Sequence, residues 1–496
     1  MIGKDKFFLD VIKKAFWVLL TLALCRVTYG VWGWVLAISG IFFALKKKYS
    51  GMCFCYVMFA LIAIFNPVIS GLTLQLGLSA RFGNLMFGLI LLLIGGNTKR
   101  GQEKLPIRWI YAYIGVAAIS SVDGWFPMIS YLKLLQFLGF MIGITLMGNI
   151  MSESEEGLYE LRATMMAVAA IMIVGSLVSR FIPSIGYSMH IARMERFGLL
   201  PQAAAIGTTE GQLSLFNGLT MHSQMLAPVV SILAAWVLCD MLLVAQRFSV
   251  LHVGLLVTSP VLLYLSRSRG GFFTFVSVMF LTGFVCLPRA RISHRHRIHL
   301  TIAFIGIIVA VVIGGAVLEI RDSTFSKWLR KTEDVRGDAR SLSEAVTSSR
   351  MGLIEDNLDD FHRNPLLGKG FQVAPYLKDA YRAGMISWFS APVEKGVTPV
   401  VVLGETGVLG GIVFIIFLIS FYTTCIRRRY LALMNLFTCM FVANLADSTM
   451  FSPAGLGGFL WIMSCTGGFG IDLLAIKMAR NGYMHGYDQP MPVSMT

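Results

Sequence analysis

Arginines gather where an apolar chain can least afford them. Arg267 and Arg269 stand in Leu-Ser-Arg-Ser-Arg-Gly-Gly, between two hydrophobic runs with barely room for a turn. Arg180 closes another apolar run, and Arg193 and Arg196 follow in Ala-Arg-Met-Glu-Arg-Phe-Gly-Leu-Leu. Ionisable groups at membrane depth are expensive and usually face a cavity. A guanidinium meets phosphate through two parallel hydrogen bonds, so these arginines suit a resident anion such as a lipid phosphate or diphosphate. The plainer alternative is that they snorkel to ordinary headgroups.

Carboxylates stand near the same level of the chain. Glu394 opens Glu-Lys-Gly just before an apolar run, and Glu405 follows about three turns later in Gly-Glu-Thr-Gly-Val-Leu-Gly-Gly. A carboxylate beside the membrane can deprotonate a sugar hydroxyl as a general base, the more so if burial raises its pKa. Alternatively Glu394 pairs with Lys395 or an arginine and is structural. For Glu405 the structural reading is favoured, because the small residues around it suit close helix packing.

Other chemistries lack their residues. The sequence has no Walker loop, no dinucleotide fingerprint after a strand, no HExxH, no nucleophile elbow and no Asp-x-Asp pair. A nucleotide-activated sugar donor is therefore not expected. A lipid-linked donor would bring its own diphosphate leaving group, which arginines stabilise without metal. His294, His296 and His299 alternate with arginines that repel a cation, which suits a solvated basic loop rather than a metal site.

The elements that must position these groups are membrane helices. The chain has 496 residues, of which 56% are hydrophobic and 14% charged. Its apolar residues come in blocks of roughly 16 to 28, long enough to cross a hydrocarbon core as helix and too continuous for barrel strands. The expected fold is an all-α polytopic transmembrane bundle of about 14 spans. Their limits fall near 13–28, 30–45, 51–69, 82–96, 107–122, 130–148, 159–179, 218–246, 249–265, 270–287, 298–318, 397–424, 430–447 and 455–476.

The net charge of +15 might suggest nucleic acid, but much of it sits in clusters at run ends. These clusters include Lys46-Lys47-Lys48, Lys99 with Arg100, and Arg427-Arg428-Arg429, as the positive-inside rule expects. Both termini are thereby placed in the cytoplasm, and residues 180–217 and 319–396 on the outer side. The division reads as an N-terminal bundle 1–318, a large periplasmic loop 319–396 with short helices, C-terminal helices 397–480 and a cytoplasmic tail 481–496. Lys13-Lys14 ahead of the first run reads as an uncleaved first helix. All eight cysteines fall in or beside apolar runs, which excludes a disulfide framework and makes Cys53 and Cys55 packing residues.

Within the loop, Ser341 and Glu344 form a capping box. Met351, Ile354, Leu358 and Phe361 then recur at helical spacing until Asn364-Pro365 stops the helix. Another face carries Arg350, Glu355, Asp359 and His362, either solvated on an interfacial helix or lining a site.

At these residues the chain resembles the O-antigen ligase and O-antigen polymerase superfamily of bacterial inner-membrane glycosyltransferases. Asn217-Gly-Leu-Thr-Met-His222-Ser-Gln224 resembles the family's Gly…His-Pro-Asn segment, and Ser268-Arg269-Gly270-Gly271 its Ser-Arg-Gly helix start. Ser349-Arg350 with Asn364-Pro365-Leu-Leu-Gly-Lys-Gly370 resembles the Arg…Pro-Leu-Leu-Gly-x-Gly stretch. Gly404-Glu405-Thr-Gly407-Val-Leu-Gly410 resembles the Glu-x-Gly-x-x-Gly run. The likeness covers roughly residues 190 to 424, and the order of the pieces is more specific than any one of them.

The resemblance implies transfer of a glycan from undecaprenyl diphosphate to a sugar hydroxyl in the periplasm, without metal or other cofactor. It carries diphosphate binding onto Arg269, with Arg193, Arg196, Arg267 and Arg350 as further candidates, and sugar or lipid contacts onto His222, Gln224 and Lys369. The family often has His-Asn where this chain has Glu394-Lys395-Gly396, so either Glu394 replaces that histidine or His362 supplies the base. Implied partners are the lipid-linked oligosaccharide, membrane lipid, and a chain-length regulator and flippase of the same pathway, with no nucleic acid. Polymerase is preferred to ligase on span number. From another class, a lipid-linked oligosaccharide transporter would want internal repeats, and none is evident.

Overall fold

A computed structural model describes residues 4–28, 31–65, 88, 90, 104–182, 216–220, 223–245, 249–266, 268–286, 342–373, 396–446, 448–453 and 455–480. Among these residues the chain is helical, and the sole extended pairing is an isolated antiparallel bridge between Phe65 and Thr220. In order come α1 (Lys4–Val27), α2 (Val31–Leu45), α3 (Tyr49–Ile64), α4 (Arg108–Ser120), α5 (Pro127–Glu153) and α6 (Glu155–Val178). There follow α7 (Ser223–Cys239), α8 (Val250–Ser266), α9 (Arg269–Val285), α10 (Leu342–Arg363), α11 (Thr398–Arg428), α12 (Leu431–Ala446), α13 (Leu456–Trp461) and α14 (Phe469–Met478). Wider π-helical turns extend α7 over Asp240–Ala245 and join α13 to α14 over Ile462–Gly468.

Apolar runs become helices because only an internally bonded backbone is tolerated among hydrocarbon. Among the described residues five helices are long and apolar enough to cross a membrane: Pro127–Ser152, Glu155–Val178, Gln224–Ala245, Thr398–Arg428 and Leu456–Met478. Shorter apolar helices cover Val31–Leu45, Ser50–Ile64, Val250–Ser266, Gly270–Val285 and Leu431–Ala446. The expected runs at 82–96 and 298–318 lie almost wholly or wholly outside the described residues. Gln224–Ala245 is the central post, with its most apolar window buried on every side, as a helix apolar all round must be. All eight cysteines are free and buried, and Cys53 Sγ rests 3.9 Å from Met147 Sδ.

Alternating helix directions and cross-helix contacts sort the connections into two ends. One end carries Lys46–Lys48, Lys104, Arg108, Arg427–Arg429 and Lys477, and we call it the basic end. The other carries the α4–α5 turn, the Phe65–Thr220 bridge, residues 364–373, Gly396 and Ser448; it is the loop end. Residues 353–373 of the hydrophilic interval therefore pack directly into the bundle, through Leu353 against Gly396 and Phe371 against Phe137 and Phe451.

Candidate functional site

At the loop end α11 is broken, and the break is mended by a different part of the chain. Gly407 has φ +63° and ψ −164°, a conformation no other residue adopts cheaply. Four backbone groups that a continuous helix would pair internally are taken up by the segment after α10. Lys369 N donates to Gly404 O at 2.9 Å and Gly370 N to Glu405 O at 3.0 Å. In return Val408 N donates to Pro365 O at 2.8 Å and Leu409 N to Leu366 O at 3.5 Å. Such irregular backbone inside an apolar bundle survives only where protein satisfies it or a cavity adjoins it. A Cβ on Gly407 would lie 2.3 Å from the Leu366 carbonyl oxygen, and one on Gly368 (φ +69°) 2.5 Å from the Glu405 carbonyl carbon. The two glycine-bearing stretches singled out in the sequence are thus two halves of one interlock.

Buried polar side chains lie beneath it. Lys369 Nζ bonds Asp360 Oδ2 at 2.5 Å and Asn357 Oδ1 at 3.2 Å, and all three residues are buried. A buried ion pair holds when its remaining donors and acceptors are also met, and Asn357 meets one of them. Asn364 ends α10 by accepting from Gly368 N through its carbonyl (2.8 Å) and from Leu367 N through Oδ1 (3.4 Å). Glu405, 1% exposed, sits in the break with Tyr113 of α4 beside it.

The far side of the 369–373 segment is held by the α4–α5 turn. Trp125 N donates to Lys369 O at 3.1 Å, Phe371 N to Ser121 Oγ at 3.2 Å, and Lys133 Nζ to Gln372 O at 2.8 Å. The Gln372 side-chain amide donates to the Phe451 carbonyl. Ser448 N donates to Gly396 O at 2.8 Å, and Thr398 Oγ1 lies 3.0 Å from Ser448 Oγ, which fixes the entry to α11.

The face of α10 that packs differs from both faces read in the sequence. Leu353, Asn357 and Asp360 meet α11 and Lys369, whereas Met351 is 51% exposed and Glu355, Asp359 and His362 are exposed. Pairing with the Lys369 ammonium outweighs the apolar stripe.

The candidate site residues fall as follows. Arg269 is the first residue of α9, after Ser268, whose Oγ accepts from Gly271 N at 3.4 Å. Gly270 packs on Ala446 and Gly271 on Ala227, so the backbone of Arg269 stands at the loop end, with α12's last residue beside it and Gly396 bonded to Ser448 just beyond. Lys369 is engaged by Asp360 and Asn357. Gln224 is half-buried in the first turn of α7. His362 is exposed next to Phe361 near the end of α10, and Arg350 lies on the same helix. Glu394, Arg193, Arg196, Arg267 and His222 lie outside the described residues. Sequence reasoning missed Asn357 and Asp360, whose i,i+3 spacing was the available signal.

Residues 253–415 match the family model described as O-Antigen ligase. The matched stretch contains Arg269, α10 and both halves of the interlock, and it supports a place in the superfamily of O-antigen ligases and polymerases. No curated protein matches the chain.

Proposed function

We propose that the chain is a membrane glycosyltransferase that polymerises oligosaccharide repeat units carried on undecaprenyl diphosphate. It works at the periplasmic face of a bacterial inner membrane, as a bundle of about 14 spans with both termini in the cytoplasm. The observation that carries the reading is the interlock. A broken helix and a glycine-rich segment are fixed into each other at the end of the bundle where α9 begins with Arg269 and α11 begins just after Glu394.

The acceptor hydroxyl attacks the anomeric carbon of the donor sugar, the bond from that carbon to the diphosphate oxygen breaks, and undecaprenyl diphosphate departs. Glu394 takes the hydroxyl proton, with His362 as the alternative base. Arg269, with Arg193, Arg196, Arg267 and Arg350, holds the diphosphate and neutralises the charge that grows on it. His222, Gln224 and Lys369 border the sugar and lipid path. Lys369 does so through its backbone in the interlock, since its ammonium is held by Asp360.

Purified protein in liposomes supplied with a lipid-linked repeat unit, a chelator and no energy source should lengthen the glycan on its lipid. Folded protein that lengthens nothing would sink the proposal. The description of the matched family favours a second reading, ligation of the finished glycan to lipid A–core. Deleting the gene separates the two: a single repeat on the surface lipid marks a polymerase, and lipid-linked polymer left unattached marks a ligase. A chain-length regulator and a flippase are the partners that the polymerase reading calls for.

A further inference from the structure

Asn217 is buried to 1% exposure, yet neither Nδ2 nor Oδ1 has a hydrogen-bond partner. Burying an amide group unpaired is costly, and most buried polar side chains in folded proteins have a partner. The backbone that presents it is fixed at several points. Thr220 N and Oγ1 both donate to Asn217 O, at 3.1 and 2.8 Å. Leu219 N donates to Ser176 Oγ at 3.1 Å, and Thr220 bridges to Phe65. A turn fastened to α3 and α6 thus holds a buried polar side chain that no protein group pairs with.

Its place is informative. Gly218 lies against Leu226, and Gly271 lies against Ala227, the next residue of the same helix. The Asn217 turn and the start of α9 with Arg269 therefore flank one turn of α7 on adjoining faces. A donor bound against this turn of α7 would have the α9 start on one side of it and the Asn217 turn on the other.

The chemistry of the amide says what would satisfy it. A carboxamide offers two N–H donors and an acceptor oxygen. Diphosphate oxygens only accept, so they would satisfy Nδ2 and leave Oδ1 orphaned. A sugar hydroxyl pair, or an acetamido group beside a hydroxyl, both donates and accepts. We propose that Asn217 binds the first sugar of the lipid-linked donor through its hydroxyl or acetamido groups. This rests on the proposed function and adds the residue that reads the glycan rather than the phosphate.

The test measures binding of polyprenyl diphosphate, bare and carrying one N-acetylhexosamine, to the full chain in nanodiscs. Wild type should bind the glycosylated lipid at least about tenfold more tightly, the worth of one or two buried hydrogen bonds. Asn217→Leu, which keeps the branched shape and removes every donor and acceptor, should bind both at the affinity of the bare lipid. Should that variant fail to fold, Asn217→Asp serves: it keeps an acceptor, loses both donors and should weaken the preference. A wild-type preference retained in the variants means that Asn217 holds water or nothing, and the inference falls. Wild type binding both lipids equally also overturns it while leaving the proposed function standing. Wild type binding neither lipid overturns both.

Discussion

The two ends of the bundle share buried ion pairs and differ in what their backbone does. At the basic end, side chains close on one another. Arg162 of α6 grips Asp240 through two hydrogen bonds of 2.6 and 3.0 Å, and His252 of α8 adds a third at 3.0 Å. Ser249, ahead of α8, in turn holds the other ring nitrogen of His252 at 2.5 Å. Lys14 pairs with Glu160 at 2.5 Å, and the Asp472 carboxylate receives Ala432 N and Leu433 N at the start of α12. These charges meet their partners and join α1, α6, α7 and α8 in one group and α12 to α14 in another.

At the loop end Lys369 closes on Asp360 and Asn357 in the same manner, but backbone is also exchanged between segments, helix α11 is interrupted, and Asn217 keeps unmatched atoms. Closed pairs make a frame; an interrupted helix with spare polarity makes a place for something else. That contrast underlies the assignment of chemistry to the loop end.

The largest expected effect tests the contrast with one deletion at each end. Asp240→Ala leaves Arg162 buried, and Asp360→Ala leaves Lys369 buried, each at a cost of about 3–5 kcal/mol. Both variants should unfold at lower denaturant or temperature. Only Asp360→Ala should also lower glycan transfer per folded molecule, because Lys369 N carries part of the interlock. The double change Asp360→Leu with Lys369→Met should recover most of the stability, since a buried pair replaced by apolar groups of like volume is often neutral. Equal losses of transfer from the two single variants would erase the distinction between the ends.

Next comes the break in α11. Gly407→Ala meets about 1–3 kcal/mol of backbone strain, and its methyl would press on the Leu366 carbonyl. Thermal unfolding should report that loss, and transfer should fall by more than the folded fraction does. A variant with wild-type transfer would show that the interlock is scaffold only. A smaller effect is expected from Thr398→Val, which removes the 3.0 Å bond to Ser448 near the Gly396 anchor. About 0.5–1.5 kcal/mol should be lost, with transfer reduced a few-fold through the displaced approach to Glu394.

What the sequence disclosed follows the range of the forces. Among the described residues run lengths located the helices, because hydrophobicity is summed locally, while the runs at 82–96 and 298–318 stay expectations. The stop at Asn364-Pro365 bounded α10, which ends at Arg363, while the capping box at Ser341 lies at the edge of the described residues. The packed face of α10 was not legible. Helical periodicity pointed to Met351, Ile354, Leu358 and Phe361, while the buried groups answer to Lys369, brought back by a turn the pattern does not encode. Gly404-Glu405-Thr-Gly407 read as close packing between small residues, and the break itself could not be seen, since its partners lie on the segment after α10. Arg162, Asp240 and His252 drew no role from the sequence because three separate helices create their meeting.

The smallest expected effect decides which group takes the proton. His362 is exposed near the end of α10 and touches Phe361, so His362→Ala should shift stability by no more than about 0.5 kcal/mol. If Glu394 is the base, transfer by His362→Ala stays near wild type while Glu394→Gln loses about 10²–10⁴-fold, the usual worth of a positioned base. The reverse pattern would move the proton to α10 and away from the entry to α11. The interlock would then serve to hold α10 against α11 through Asp360 and Lys369, so that a histidine about half a turn beyond Asp360 reaches the sugar. Measuring both variants on folded protein separates these geometries, because each result is then read per folded molecule.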